Sequence, residues 1–141
     1  MTEAIFQFLS KIGFSHPLHP AFVHIPMGMA VGAFIFRLFS LIPKLKGLAK
    51  TGYHCVILGL VGIFPAAFAG YLDWQHRLNG TWEFLIIIKM ILAALLAIVF
   101  AAIVIRDDPE NPGFNRVLFF YLAMILLAVG VGFSGGQLIY G

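Results

Sequence analysis

The chain has 141 residues, 61% of them hydrophobic and 11% charged, with a formal net charge of +3. A soluble domain is nearer half apolar and a quarter charged, so this composition excludes an ordinary soluble fold and reads as an all-α integral membrane protein. The small positive charge is read as loop asymmetry across a bilayer rather than a nucleic-acid surface, and the lone Cys55 excludes an intramolecular disulfide, a CxxC redox motif and c-type haem attachment.

In the first fifteen residues, Ile5, Phe6, Phe8, Leu9 and Ile12 recur at helical spacing between Glu3, Gln7, Ser10 and Lys11. This predicts a short amphipathic interfacial helix on residues 1–15, ended by Gly13. The segment lacks a basic leader, a continuous apolar stretch and a small-x-small site, so no cleavable signal is expected.

Residues 16–141 are then expected to form one four-transmembrane-helix bundle. Four apolar runs, 21–42, 53–72, 84–105 and 114–140, each have roughly the 20 residues needed to cross a ~30 Å hydrocarbon core. Pro20 suits a first helical turn. Pro26 and Pro65 lie inside runs and are expected to kink them. Short connections make sequential helices antiparallel neighbours. Small residues at four-residue spacing (Gly62, Ala66, Gly70; Ala93, Ala97, Ala101; Ala128, Gly132, Gly136) predict close helix packing.

Arg37, Lys44, Lys46, Lys50, Arg106 and Arg116 fall on the side of the first and third connections, against Lys11, Arg77 and Lys89 on the other. The positive-inside rule then places the basic loops in the cytoplasm and both termini in the periplasm of a bacterial inner membrane. Trp74, Trp82 and Tyr140 are expected in the outer aromatic belt, and Tyr53 and Tyr121 towards the inner one.

This topology gathers polar residues on the outer side. The stretch S-H-P-L-H-P-A-F-V-H-I-P-M-G brings His16, His19 and His24. The second connection, G-Y-L-D-W-Q-H-R-L-N-G, brings Asp73, His76, Arg77 and Asn79, and the C-terminal G-G-Q-L-I-Y-G brings Gln137. His24 lies about one turn inside an apolar helix and shares a face with Gly28, Val31 and Ile35, over which a flat ligand could pack. It is expected to face the Asp73/His76 loop, either as a ligand or in a hydrogen bond that fixes the bundle. Lys89 continues the Ala93 stripe. It either meets an anion in the bundle, with Asp73, Glu83 or a cofactor carboxylate as candidates, or snorkels to the interface. Ser134 has no obvious base beside it, and Asp107 and Asp108 are placed in a cytoplasmic turn.

At H-P-L-H-P-A-F-V-H-I-P-M-G, G-Y-L-D-W-Q-H and G-G-Q-L-I-Y-G the sequence resembles a bacterial family of small predicted membrane proteins, catalogued as domain of unknown function 2231. The matching positions are His19, Pro20, His24 and Pro26, then Gly70, Asp73 and His76, then Gly135, Gly136, Leu138 and Tyr140. The resemblance implies a four-helix membrane domain and no established activity. Its relatives' association with redox modules points towards a haem or quinone role.

Three functions follow as expectations. The first is a b-type haem protein for electron transfer or redox sensing, with quinol and a periplasmic redox protein as partners. His24 and His76 would be the axial pair, with His19 as substitute. Gly28, Gly70 and Gly136 would give the macrocycle room, Arg77 or Lys89 would meet its propionates, and Asp73 and Gln137 would complete the site. The second is a cofactor-free structural or interaction module with a buried His/Asp/Gln network. The third is a copper or zinc site or a transport path, in which His16, His19 and His24 would bind a divalent metal, Met27 and Met29 would favour Cu(I), and a homo-oligomer would be needed to form the path.

Overall fold

The computed structural model describes residues 1–14, 18–77 and 79–140, with the side chains of 18–20, 77 and 138–140 outside the description. The described chain is all-helical: α1 (Thr2–Lys11), α2 (Leu18–Phe39), a short 3-10 turn (Pro43–Leu45), α3 (Leu48–Arg77), α4 (Phe84–Arg106) and α5 (Val117–Tyr140). Helices α2 to α5 are each long and apolar enough to cross a membrane.

The short α1 ends as its sequence requires. Gly13 takes a positive φ of 82°. Its N–H donates to Ser10 O, while the Phe14 N–H reaches Leu9 O at 2.9 Å. This pair of bonds is the Schellman ending, which satisfies the last carbonyls and favours glycine at its left-handed position.

The four long helices form two hairpins. Helix α2 packs extensively on α3, and α4 on α5; contacts of α2 with α5 and of α3 with α4 close the ring. On α2 the buried stripe is Pro26, Ala30, Ala33, Arg37 and Ser40. On α3 it is Ala49, Gly52, Val56, Gly59, Gly62, Ala66, Ala69 and Leu72, in steps of three and four. Small residues let the two backbones approach. A methyl group added at Gly62 would lie 2.7 Å from Ile25 Cγ2 and 3.4 Å from Pro26 Cδ, and one at Gly52 would lie 3.1 Å from the Ala33 carbonyl oxygen. Larger side chains fill the centre: Val56, Leu96, Phe100, Ile103, Tyr121 and Met124. Phe64, Phe68, Ile98, Phe119 and Phe133 are more than half exposed on the outside, as a lipid-facing surface requires.

Several boundaries differ from the sequence expectation. The first span runs three residues earlier at each end. The third begins at Phe84 as expected, and the fourth begins at Val117. The largest difference is in α3, which starts five residues earlier and ends five later. Asp73, His76 and Arg77 therefore ride on a helix, and the connection shrinks to residues 78–83. Asn79 and Gly80, with φ of 49° and 69°, make the reversal. Asparagine and glycine are the residues that tolerate this left-handed pair. The helices also continue through Pro26 and Pro65. Of the expected small-residue stripes, Gly62, Ala66 and Ala128 are buried. Gly70, Ala93, Ala97, Ala101, Gly132 and Gly136 are half-buried, because the inward faces step by three as well as four.

Candidate functional site

At the end where the termini lie, part of the expected constellation assembles. Lys89 is half-buried and sits a heptad from Leu96, with Ile86 one turn before it. It therefore faces the bundle, and the Asp73 carboxylate of α3 acts on its ammonium electrostatically. On α5 a methyl added at Gly135 would come 3.5 Å from Lys89 Nζ. Gly136 is half-buried with nothing within 4 Å of such a methyl, and Gln137 is exposed. Gly70 is half-buried.

The histidines do not join this group. His24 is exposed, on the side of α2 opposite its buried stripe, together with Gly28, Val31 and Ile35. The four share a face as expected, but that face points away from the bundle rather than towards Asp73 and His76. The physical reason is helical phase: Pro26, Ala30, Ala33 and Arg37 turn inward, and His24 lies about half a turn from them. His76 is exposed at the end of α3, and its ring stacks on Phe6 of α1 at 4.0 Å and 11°. His16 and the side chains of His19 and Arg77 lie outside the described residues. Among the described residues no group of three His, Cys, Asp or Glu is placed to hold a metal ion. Trp74 and Trp82 meet edge to face at 4.7 Å, and the Trp74 indole N–H donates to Thr81 O at 2.8 Å.

The opposite end, rich in lysine and arginine, holds the tightest polar cluster. Arg37 is 1% exposed, although it belongs to a membrane span. Its Nη1 donates to Ser40 Oγ at 3.1 Å and its Nη2 to the Gly113 carbonyl at 3.2 Å. Nη2 also lies 3.7 Å from Asp107 Oδ1, and Tyr121 Oη donates to Asp107 Oδ2 at 2.7 Å. Ser40 Oγ in turn donates to the Arg37 carbonyl at 2.6 Å. The guanidinium carbon lies 5.8 Å from the Tyr121 ring centre. Among the described residues, two buried atoms, Arg37 Nε and Asp107 Oδ1, have no hydrogen-bond partner. Removing one member of such a buried ion pair strands the other charge, at a cost of about 3–5 kcal/mol.

Nearby, Tyr53 Oη donates to the Val104 carbonyl at 2.8 Å, and Lys50 pairs with Glu110 at 2.6 Å on the surface. An apolar cleft of ≈ 240 Å³ opens beside Arg37 between α2 and α5. Phe34, Leu38 and Leu41 form one wall, Phe114, Leu118 and Leu122 the other, with Arg37 and Tyr121 at its base.

A family model described as "Predicted membrane protein (DUF2231)" matches residues 15–141, which is the bundle without α1. The chain belongs to this family. No curated protein and no solved structure matches it. The DUF2231 chain thus carries its family's membrane character on four described helices, with α1 outside the matched region.

The sequence reading missed the Arg37–Asp107–Tyr121 cluster. It counted Arg37 as a topological marker, assigned Asp107 to a cytoplasmic turn and gave Tyr121 to the inner aromatic belt. A signal was present. Arg37 follows Ala33 by four, Ala30 by seven and Pro26 by eleven, and Tyr121 precedes Ala128 by seven. These steps put both residues on the inward faces of α2 and α5.

Proposed function

We propose that this DUF2231 protein is a membrane-embedded interaction module whose two hairpins are held in register by buried charge. The observation that carries this reading is the enclosure of Arg37, Ser40, Asp107 and Tyr121 while His24 and His76 stay outside. The buried polar network is Arg/Asp/Tyr at the basic end, where the sequence suggested His/Asp/Gln at the other. The basic connections support a cytoplasmic placement for that end, with both termini in the periplasm of a bacterial inner membrane. Alkaline phosphatase fused after Gly141 would be active if so, and green fluorescent protein at the same point would be dark.

A second reading keeps b-type haem for electron transfer or redox sensing, with quinol and a periplasmic protein as redox partners. The outward His24–Gly28 face favours it, since Gly28 leaves open space one turn from the imidazole. Haem would then sit between copies, with His24 and His76 contributed by different chains. One experiment separates the readings. Protein produced with ample haem is purified and its spectrum taken before and after dithionite, with copper and zinc measured alongside. The module reading expects no Soret band and no stoichiometric metal. A reducible Soret band that His24→Ala abolishes would replace it with the second reading.

A further inference from the structure

We infer that the cleft between α2 and α5 is a binding site for an anionic phospholipid, with an acyl chain in the cleft and the headgroup against the basic connections. This does not rest on the functional reading above. The walls explain the chain: they are leucine and phenylalanine, and Leu38, Leu41, Phe114 and Leu122 are exposed enough to open the cleft sideways into the bilayer. Its volume, ≈ 240 Å³, suits part of an acyl chain rather than a whole cofactor.

Two observations explain the headgroup. Arg37, nearly fully buried, lines the cleft and keeps an N–H at Nε that no described protein group accepts. That atom is covered as the side chain stands, and a small turn of the guanidinium towards the cleft lets a lipid ester or phosphate oxygen supply the missing acceptor. Around the mouth the charge is one-sided. The basic end carries six lysines and arginines against Asp107, Asp108 and Glu110, and two of those acids already face Arg37 and Lys50. Lys44 and Lys46 follow Leu41 closely, and Arg116 lies between Phe114 and Leu118 in sequence, so cations flank both walls. Each such cation near an anionic surface contributes about 1 kcal/mol, roughly a fivefold preference.

The test uses the full chain in phosphatidylcholine vesicles carrying a trace of chain-spin-labelled phosphatidylglycerol or phosphatidylcholine. Electron spin resonance reads the motionally restricted fraction of each. Phosphatidylglycerol should be restricted about fivefold or more in preference to phosphatidylcholine. Leu38→Trp fills the cleft from its exposed rim and should abolish the preferred component. Lys44→Gln with Arg116→Gln, both on the surface, should lower the preference severalfold while circular dichroism stays unchanged. Equal restriction of the two lipids, or a preference that survives both Leu38→Trp and the double charge variant, would overturn the assignment. So would displacement of the labelled lipid by a long-chain quinone at equimolar amounts.

Discussion

Tyr121→Phe is the sharpest probe of the buried network. The phenylalanine ring keeps the volume and the packing in the core, so no cavity opens. What disappears is the 2.7 Å hydrogen bond from Oη to Asp107 Oδ2. Asp107 has no second hydrogen bond to fall back on, because Oδ1 has no such partner and meets Arg37 only at 3.7 Å. A hydrogen bond to a charged group contributes about 1.5–3 kcal/mol, against the ~0.6 kcal/mol average for interhelical hydrogen bonds in membranes. The larger range applies, since a carboxylate loses its only donor at a buried site. At roughly 3–5 °C per kcal/mol for a chain of this size, the melting temperature should fall by about 5–15 °C. Thermal unfolding followed by circular dichroism in dodecyl maltoside measures it. Asp107→Asn combined with Tyr121→Phe should lose less than the sum of the two single variants. A Tyr121→Phe protein that melts within 1 °C of the parent would refute the claim that this bond carries stability.

Other consequences can be measured on the same preparations. Gly62→Ala should destabilise by about 1–3 kcal/mol through its clash with the β-branched Ile25, whereas Gly28→Ala, with nothing within 4 Å, should be neutral or stabilising by about 0.5–1 kcal/mol. Equal effects at the two glycines in thermal unfolding would contradict the assigned α2–α3 contact. In the exposed connection before α5, the Asn111 side-chain amide and the Glu110 N–H hold the Asp108 carboxyl below the usual carboxylate range. Its contribution is therefore present above the unfolded value of about 3.9 and is lost as pH falls through the folded one. Asn111→Ala should move the Asp108 titration upward in an NMR pH series, and an unmoved midpoint would dismiss that hydrogen bond. Phe6→Ala removes the ring that covers His76 and should speed amide exchange in α1 while leaving α4 and α5 protected; unchanged exchange in α1 would mean the stack does not hold it.

The sequence made the four spans, the amphipathic start and the Gly13 stop legible, because length, apolar run and glycine chemistry are local. It misjudged which way residues face. His24 was assigned inward because an imidazole in an apolar run invites a buried partner, yet the inward direction on α2 is set by Pro26, Ala30 and Ala33, whose significance depends on the glycines of α3. For Lys89 the sequence leaves two positions open, facing the bundle with the Ala93 stripe or snorkelling to the interface; the structure has it half-buried, with Asp73, one of the acids considered, close enough to act on it electrostatically. Asp107 could not be read as buried from its neighbours Arg106, Asp108 and Pro109, all typical of a loop. Its burial depends on Arg37, seventy residues away, arriving beside it. The length of α3 was underestimated because Asp73, Gln75, His76 and Arg77 are polar, and polarity alone does not end a helix that has risen out of the hydrocarbon.

The division of labour between the two hairpins also says something about how the chain is made. Within the first hairpin the contact is glycines of α3 against Ile25, Pro26, Met29, Ala33 and Phe36 of α2, an apolar surface that closes in lipid without a charge pair. Several described polar links from the first hairpin, Arg37 to Gly113 and Asp107, Tyr53 to Val104 and Lys50 to Glu110, reach the second. During synthesis α2 and α3 therefore enter the membrane while Arg37 still has no acid beside it. It lies near the end of its span, where a long side chain can remain in the headgroup region. It becomes dry only when α4, α5 and their connection arrive. Insertion and locking are thus separate events, and the last-made half of the chain completes the burial of a charge that the first half introduced.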